Sequence, residues 1–121
     1  MSLRTEVVAA LKRELPTSYA VTGLRTMDSV TKKTLLVYQE SVQPVALFEP
    51  RVTARLAVWI LVPQTQPGPA DDALDDALTD VLGVIHGMGQ VAWESAERGV
   101  LEESWHGYKV TVVAGGQLAT T

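Results

Sequence analysis

Glu97, Glu102, Glu103 and His106 fall within ten residues of one another in the stretch Ala96–Val110, and Trp105 stands beside the histidine. Carboxylates near an imidazole are the materials of general acid–base catalysis, where one group takes a proton and another returns it. They are also ligand types for zinc. Both chemistries need side chains that converge on one point. The chain has one other histidine, His86, and a metal site would have to draw on both with carboxylates. The plainer alternative is that these residues form the polar side of a strand connection.

The other groups with chemical potential have plain explanations too. Asp72, Asp76 and Asp80 in "DDALDDALTD" share one face of a helix, but a single face offers a row of carboxylates and not a cage. They are expected to be a solvated face near a helix N-terminus, where negative charge is favoured. His86 ends the same helix and suits the last carbonyls. "GVIHGMG" follows a helix instead of preceding one, so it does not fit a dinucleotide-binding loop. No Gly-x-Ser-x-Gly elbow is present. The chain has no cysteine, which removes disulfides, thiol nucleophiles and cysteine-based metal sites.

A length of 121 residues gives one core, so residues 1–121 are expected to form a single domain. Hydrophobic residues at 46% and charged residues at 20% fit an ordinary globular chain. A net charge of −4 gives no general attraction for nucleic acid or an anionic membrane, and the basic residues are scattered along the sequence. "MSLRTEVVAALKRELP" carries charges inside its apolar stretch, unlike a signal peptide, and the run Leu56–Val62 is too short to span a bilayer. The expectation is a protein that folds in cytoplasm.

The elements that must position these residues follow from periodicity. Leu3, Val7, Val8, Leu11 and Leu15 recur at helical spacing, which predicts a helix over 3–15 ended by Pro16. Tyr19–Thr22 reads as a short strand stopped by Gly23, and 24–33 as a polar loop. "TLLVYQESVQP" predicts a strand ended by Pro44. In Val52–Val62 one face is apolar throughout, while the other turns apolar only towards Trp59 and Leu61. Pro67, Gly68 and Pro69 predict a stiff turn before the helix of "ADDALDDALTDVLGVIHGMG", with Gly87 and Gly89 as its caps. Val91–Arg98 and Trp105–Leu118 then pair as a hairpin turning near Gly99–Ser104. The order is α-β-β-β-α-β-β. It predicts a two-layer α+β domain: a mainly antiparallel sheet of four to five strands with two helices on one face. The uncovered face, at Trp59 and Leu61, is expected to meet a partner.

Nearly the whole chain resembles tail terminator proteins of long-tailed bacteriophages, of the type that infects actinobacteria. The resemblance lies in "SLRTEVVAALKRELP", "LAVWILVP", "ADDALDDALTDVLGVI" and above all "WESAERGVLEESWHGYKVTV". It implies an α+β subunit of the virion, assembled in the bacterial cytoplasm. The subunit would form a ring, usually a hexamer, on the head-proximal end of the tail tube. The ring would stop tube polymerisation and join the head–tail connector. The implied partners are the subunit itself, the major tail tube protein and the neck proteins. Genomic DNA would pass through the lumen without specific binding. The resemblance implies no catalysis, metal or cofactor.

Position, and not the family, nominates contact residues. Leu47, Phe48 and Arg51 lie in "PVALFEPR", outside any regular element, and exposed apolar loops are common contact sites. Trp59 sits on the uncovered sheet face, and Glu97, Arg98, Glu102, Glu103 and His106 are expected to be polar groups at a ring surface. The rival readings are another neck or head–tail joining protein, a small metal-dependent hydrolase using Glu102, Glu103 and His106, and a small-ligand module with a deep apolar pocket.

Overall fold

The computed structural model describes residues 3–23, 30–45, 51–89 and 91–117, without the side chains of Gly116 and Gln117. Its elements are α1 (Leu3–Glu14), β1 (Tyr19–Thr22), β2 (Lys33–Pro44), β3 (Arg51–Leu61), α2 (Pro67–His86), β4 (Val91–Leu101) and β5 (Trp105–Gln117). The strands form one sheet in the order β1-β2-β3-β5-β4. Both helices pack on the same face, which gives the two-layer α+β domain that the periodicities predict.

The core lies where the helix stripes meet the fully apolar face of β3. Val7 and Leu11 from α1 and Leu74, Ala77, Val81 and Ile85 from α2 close over Leu56, Val58 and Ile60. Leu35 and Val37 of β2 and Val110 and Val112 of β5 complete it from the flanking strands. Fully burying a side chain of this size stabilises by about 1.5–3 kcal/mol, so this shared cluster holds the two layers together. Among the described residues Thr34 is the one buried polar side chain, and its hydroxyl donates to the Lys32 carbonyl at 2.9 Å.

Two local expectations are corrected. The mainly antiparallel sheet expected from three strands in a row has a parallel pair at its edge: β1 pairs with β2 in parallel, Tyr19 opposite Lys33 and Thr22 opposite Leu36. The link between them is ten residues long, beyond the roughly two to five residues of an ordinary hairpin loop. Pro67, Gly68 and Pro69 are not a separate turn but the first turn of α2. Proline is tolerated there because the first N–H groups of a helix have no partner within it. The first intrahelical bond runs from the Ala70 N–H to the Gln66 carbonyl at 3.0 Å. The aspartates therefore begin beyond the first turn, where the helix dipole assists them less. Gly87 caps α2 as expected, and with a φ of −83° it does so without the left-handed backbone that favours glycine.

The sheet face away from the helices is mostly polar, with one apolar corner. There Val30, Leu36 and Leu61 are buried, with Trp59, Leu101 and Trp105 packed against them. Leu61 is therefore covered by this chain itself, and an external partner is not required to hide it. Elsewhere this face is laced with ion pairs: Lys109 Nζ to Glu40 at 2.9 Å and Arg55 to Glu94 at 3.0 Å.

Tyr19 ties β1 to α2 through its hydroxyl, which donates to Asp80 Oδ2 at 2.7 Å. Burial, and then the Asp80 carboxylate, push the phenol well above the usual tyrosine range. Lys109 is also raised, chiefly by its hydrogen bond to Glu40. A group raised on folding stabilises the fold below its unfolded pKa, about 10 for both types, and loses that contribution as pH rises towards the folded value. Tyr19→Phe should lower stability at pH 7 by about 1 kcal/mol, because Asp80 stays solvated when its donor is lost. It should also flatten the loss of stability above about pH 9.5 without abolishing it, since Lys109 remains. Denaturant melts of both proteins across pH 7–11 check this, and parallel curves would contradict it.

Candidate functional site

The hairpin of β4 and β5 carries most of the residues nominated from sequence. Its turn is tight: the Ser104 N–H donates to the Leu101 carbonyl at 3.1 Å, and Leu101 pairs with Trp105. Glu102 and Glu103 both have positive φ, 53° and 60°. These are two successive left-handed positions in a three-residue connection, since residues 102–104 lie between the paired Leu101 and Trp105. Each costs an ordinary residue roughly 1–2 kcal/mol relative to right-handed backbone. Both glutamates are exposed at the tip, and the Ser104 hydroxyl bonds the Glu102 carbonyl at 3.2 Å.

Register then decides what meets what. Gly99 lies opposite Gly107, and Val100 opposite His106. The Trp59 ring from β3 lies over this pair of glycines. A Cβ on Gly99 would sit 3.3 Å from Trp59 Cη2. A Cβ on Gly107 would sit 2.6 Å from the Ile60 carbonyl oxygen, 2.8 Å from Leu61 Cδ2 and 3.3 Å from Trp59 Cε3. Across the sheet, Trp59 Nε1–H donates to the Tyr38 hydroxyl at 3.2 Å. Trp59, nominated as a contact residue, is thus half-buried and engaged inside the subunit.

On the opposite face of β4, Arg98 is a hub. Its guanidinium donates to Asp71 Oδ1 at 2.9 and 3.1 Å, to the Gly99 carbonyl at 2.9 Å and to the Gly107 carbonyl at 3.3 Å. It also reaches His106 Nδ1 at 3.1 Å, while His106 Nε2 lies 3.2 Å from the Thr65 carbonyl. An arginine can only donate and a carbonyl can only accept, so the imidazole fits with its proton on Nε2. Both ring nitrogens are then engaged. The set Asp71–Arg98–His106–Thr65 fastens the start of α2 and the segment before it to the hairpin.

The arrangement separates the residues that first suggested chemistry. His106 faces the helix side of the sheet with Arg98, while Glu102 and Glu103 occupy the turn tip. Glu97 lies on the other face, opposite Lys109. Among the described residues no three His, Asp or Glu side chains are grouped as metal ligands would be. Arg51 opens β3, exposed, and its carbonyl accepts the Val45 N–H at 3.1 Å. Leu47 and Phe48 lie outside the described residues.

A groove of about 950 Å³ separates α1 from α2. Leu3, Val7, Val84 and Met88 are among its apolar lining, and Glu6, Arg13, Glu14 and Asp80 supply its charges. No model of a protein family matches the chain, and no curated protein matches it significantly.

Two features escaped sequence reasoning. The Gly99–Gly107 pair had a signal: the two glycines stand four residues either side of Glu103, so a turn centred there sets them opposite each other. The Asp71–Arg98 pair had none, because 27 residues separate the partners and only the fold joins them. Gly107→Ala should cost at least about 2 kcal/mol, because the new methyl meets backbone, and lower Tm by roughly 8 °C or more. Gly99→Ala should cost far less, since its methyl meets only the rim of an indole. Calorimetric melts of the two variants check this, and equal effects would contradict the close backbone approach at Gly107.

Proposed function

We propose that this chain is a structural subunit of a long-tailed phage virion: a tail terminator that forms a ring on the head-proximal end of the tail tube. The ring halts tube growth and offers a surface to the head–tail connector. The reading rests on the resemblance of the sequence, and one structural observation carries it further. β4 is an edge strand of eleven residues, and it exposes Trp93 at 42% and Val100 at 50%. A long edge with exposed apolar side chains is a template for pairing, and a solitary protein would normally blunt it. The register shift between Trp93 and Ser95 interrupts the edge, so a docked strand would use its Ser95–Leu101 portion. Rings are built from contacts between unlike surfaces of identical subunits, and a sheet with two different edges provides them.

The charge fits the same role. Six copies at −4 each carry about −24, and a lumen of that sign would let DNA slide without sticking. Within this reading the Arg98 hub, the glycine pair and the strained turn hold the hairpin rigid for assembly and do no chemistry.

The test is to add the purified chain to tube protein as it polymerises. Tubes should stop growing, and the chain should sediment with them in a fixed, small amount per tube. Unaltered tube lengths, with the chain left in the supernatant, would contradict the reading. Binding to the connector alone would favour a neck protein instead.

A further inference from the structure

Apart from Asp76 and Asp80, which lie towards Tyr19, the exposed charges at the two flanks of the sheet differ in sign. α1 packs over β1 and β2, while α2 packs mainly over β3, β5 and β4. On α1, the side facing α2 carries Glu6, Arg13 and Glu14, all of which line the groove between the helices. The other side faces outward over β1 and carries Arg4 and Lys12. Arg4 Nε reaches within 3.8 Å of where a Cβ on Gly23 would sit, just past β1. Lys12 shares its side two turns on. Lys32 and Lys33 join them at the same edge, Lys32 donating to the Thr17 carbonyl at 3.3 Å and Lys33 lying 5.4 Å from the centre of the Tyr19 ring.

The β4 flank has the opposite sign. On α2, Asp80 faces the groove and Tyr19, but Asp71 faces β4, where it pairs with Arg98. Asp75 repeats that position one turn later, and Asp72, three residues before Asp75, neighbours it on the solvent crest of the helix. Both are exposed, as is Glu97 on β4. Arg98 is already committed to Asp71, and the nearby Arg55 to Glu94, so neither cancels these charges. Four strand spacings of about 4.8 Å put roughly 19 Å between the flanks. The Debye length at physiological salt is about 8 Å, so the flanks do not neutralise each other within one subunit.

From this segregation we infer that the α1–β1 flank of one copy docks on the α2–β4 flank of the next, head to tail. The occupant of each flank is a second copy of the same chain. Lys12 and Lys32 of one subunit meet Asp72 and Asp75 of its neighbour. Because the two surfaces differ, the contact propagates in one rotational sense, as a ring requires. The inference takes its closure into a ring from the tail terminator reading, but the contact itself stands on charge.

Reciprocal charge reversal tests it. Lys12→Glu with Lys32→Glu leaves a subunit acidic on both flanks, and Asp72→Lys with Asp75→Lys leaves one basic on both. Each variant alone should sediment as the single 13.1 kDa chain, and an equimolar mixture should recover the mass of the wild-type assembly. Raising salt from about 0.05 to 0.5 M should weaken wild-type assembly at least about tenfold. Melting curves check that the variants fold. If the lysine substitutions unfold α2, Asp72→Asn with Asp75→Asn replaces them and should weaken assembly by about tenfold. A variant that alone keeps the wild-type mass, a mixture that stays at 13.1 kDa, or a wild type that is monomeric at low salt would each overturn the inference. Assemblies that pass the test yet never bind tails would overturn the tail assignment and leave the flank contact standing. Tail binding by a strictly monomeric chain would do the reverse.

Discussion

The absence of a side chain at position 107 is the constraint on which the hairpin and its network depend. Only a bare backbone can pass 2.6 Å, measured from an ideal Cβ, from the Ile60 carbonyl and still lie under Trp59. That close approach seats the indole across Gly107 and Gly99 at once and fixes the register of β4 on β5. A slip of one residue would invert every side chain of β4 between the two faces. With the register set, Arg98 and His106 fall on the helix side and meet Asp71 and Thr65. The start of α2 is thereby bound to the far edge of the sheet. The positive φ values of Glu102 and Glu103 are tolerated because strands already locked on either side leave the turn no other path.

What results is a rigid slab with a long strand at one edge and a short one at the other. Helices cover one face, and ion pairs such as Lys109–Glu40 dress the other. Exposed pairs of this kind add little to stability, typically under about 1 kcal/mol each. Their consequence is a face that is satisfied on its own, so the unsatisfied surface moves to the edges. The Trp93 and Val100 side chains are there, with the charges of Asp72 and Asp75, which are unpaired among the described residues, and edges are where identical subunits can meet.

Much of this fold was legible in the sequence because burial leaves a period. The stripe Leu74–Val81–Ile85 and the alternation from Val52 to Ile60 marked α2 and β3, and the order of elements followed. Prolines misled at Pro67, where the residue that ends a helix elsewhere begins one. The parallel pairing of β1 was invisible because no pattern in the ten linking residues states a direction. Of the candidate site, the turn and the sides of His106, Tyr108 and Lys109 could be read from hairpin geometry. The engagement of His106 by Arg98 and Thr65 could not, since it joins elements far apart in the chain. Nor could the shielding of Leu61 by Val30, Leu101 and Trp105, which made an internal contact resemble a surface in need of a partner.

The central claim is that this chain is a ring subunit at one end of a phage tail. Electron microscopy of tails carrying a tagged copy, decorated with gold, tests it most directly. Label confined to the head-proximal end, one cluster per tail, is the predicted result. Label spread along the tube, or absent from tails that are otherwise complete, would contradict it.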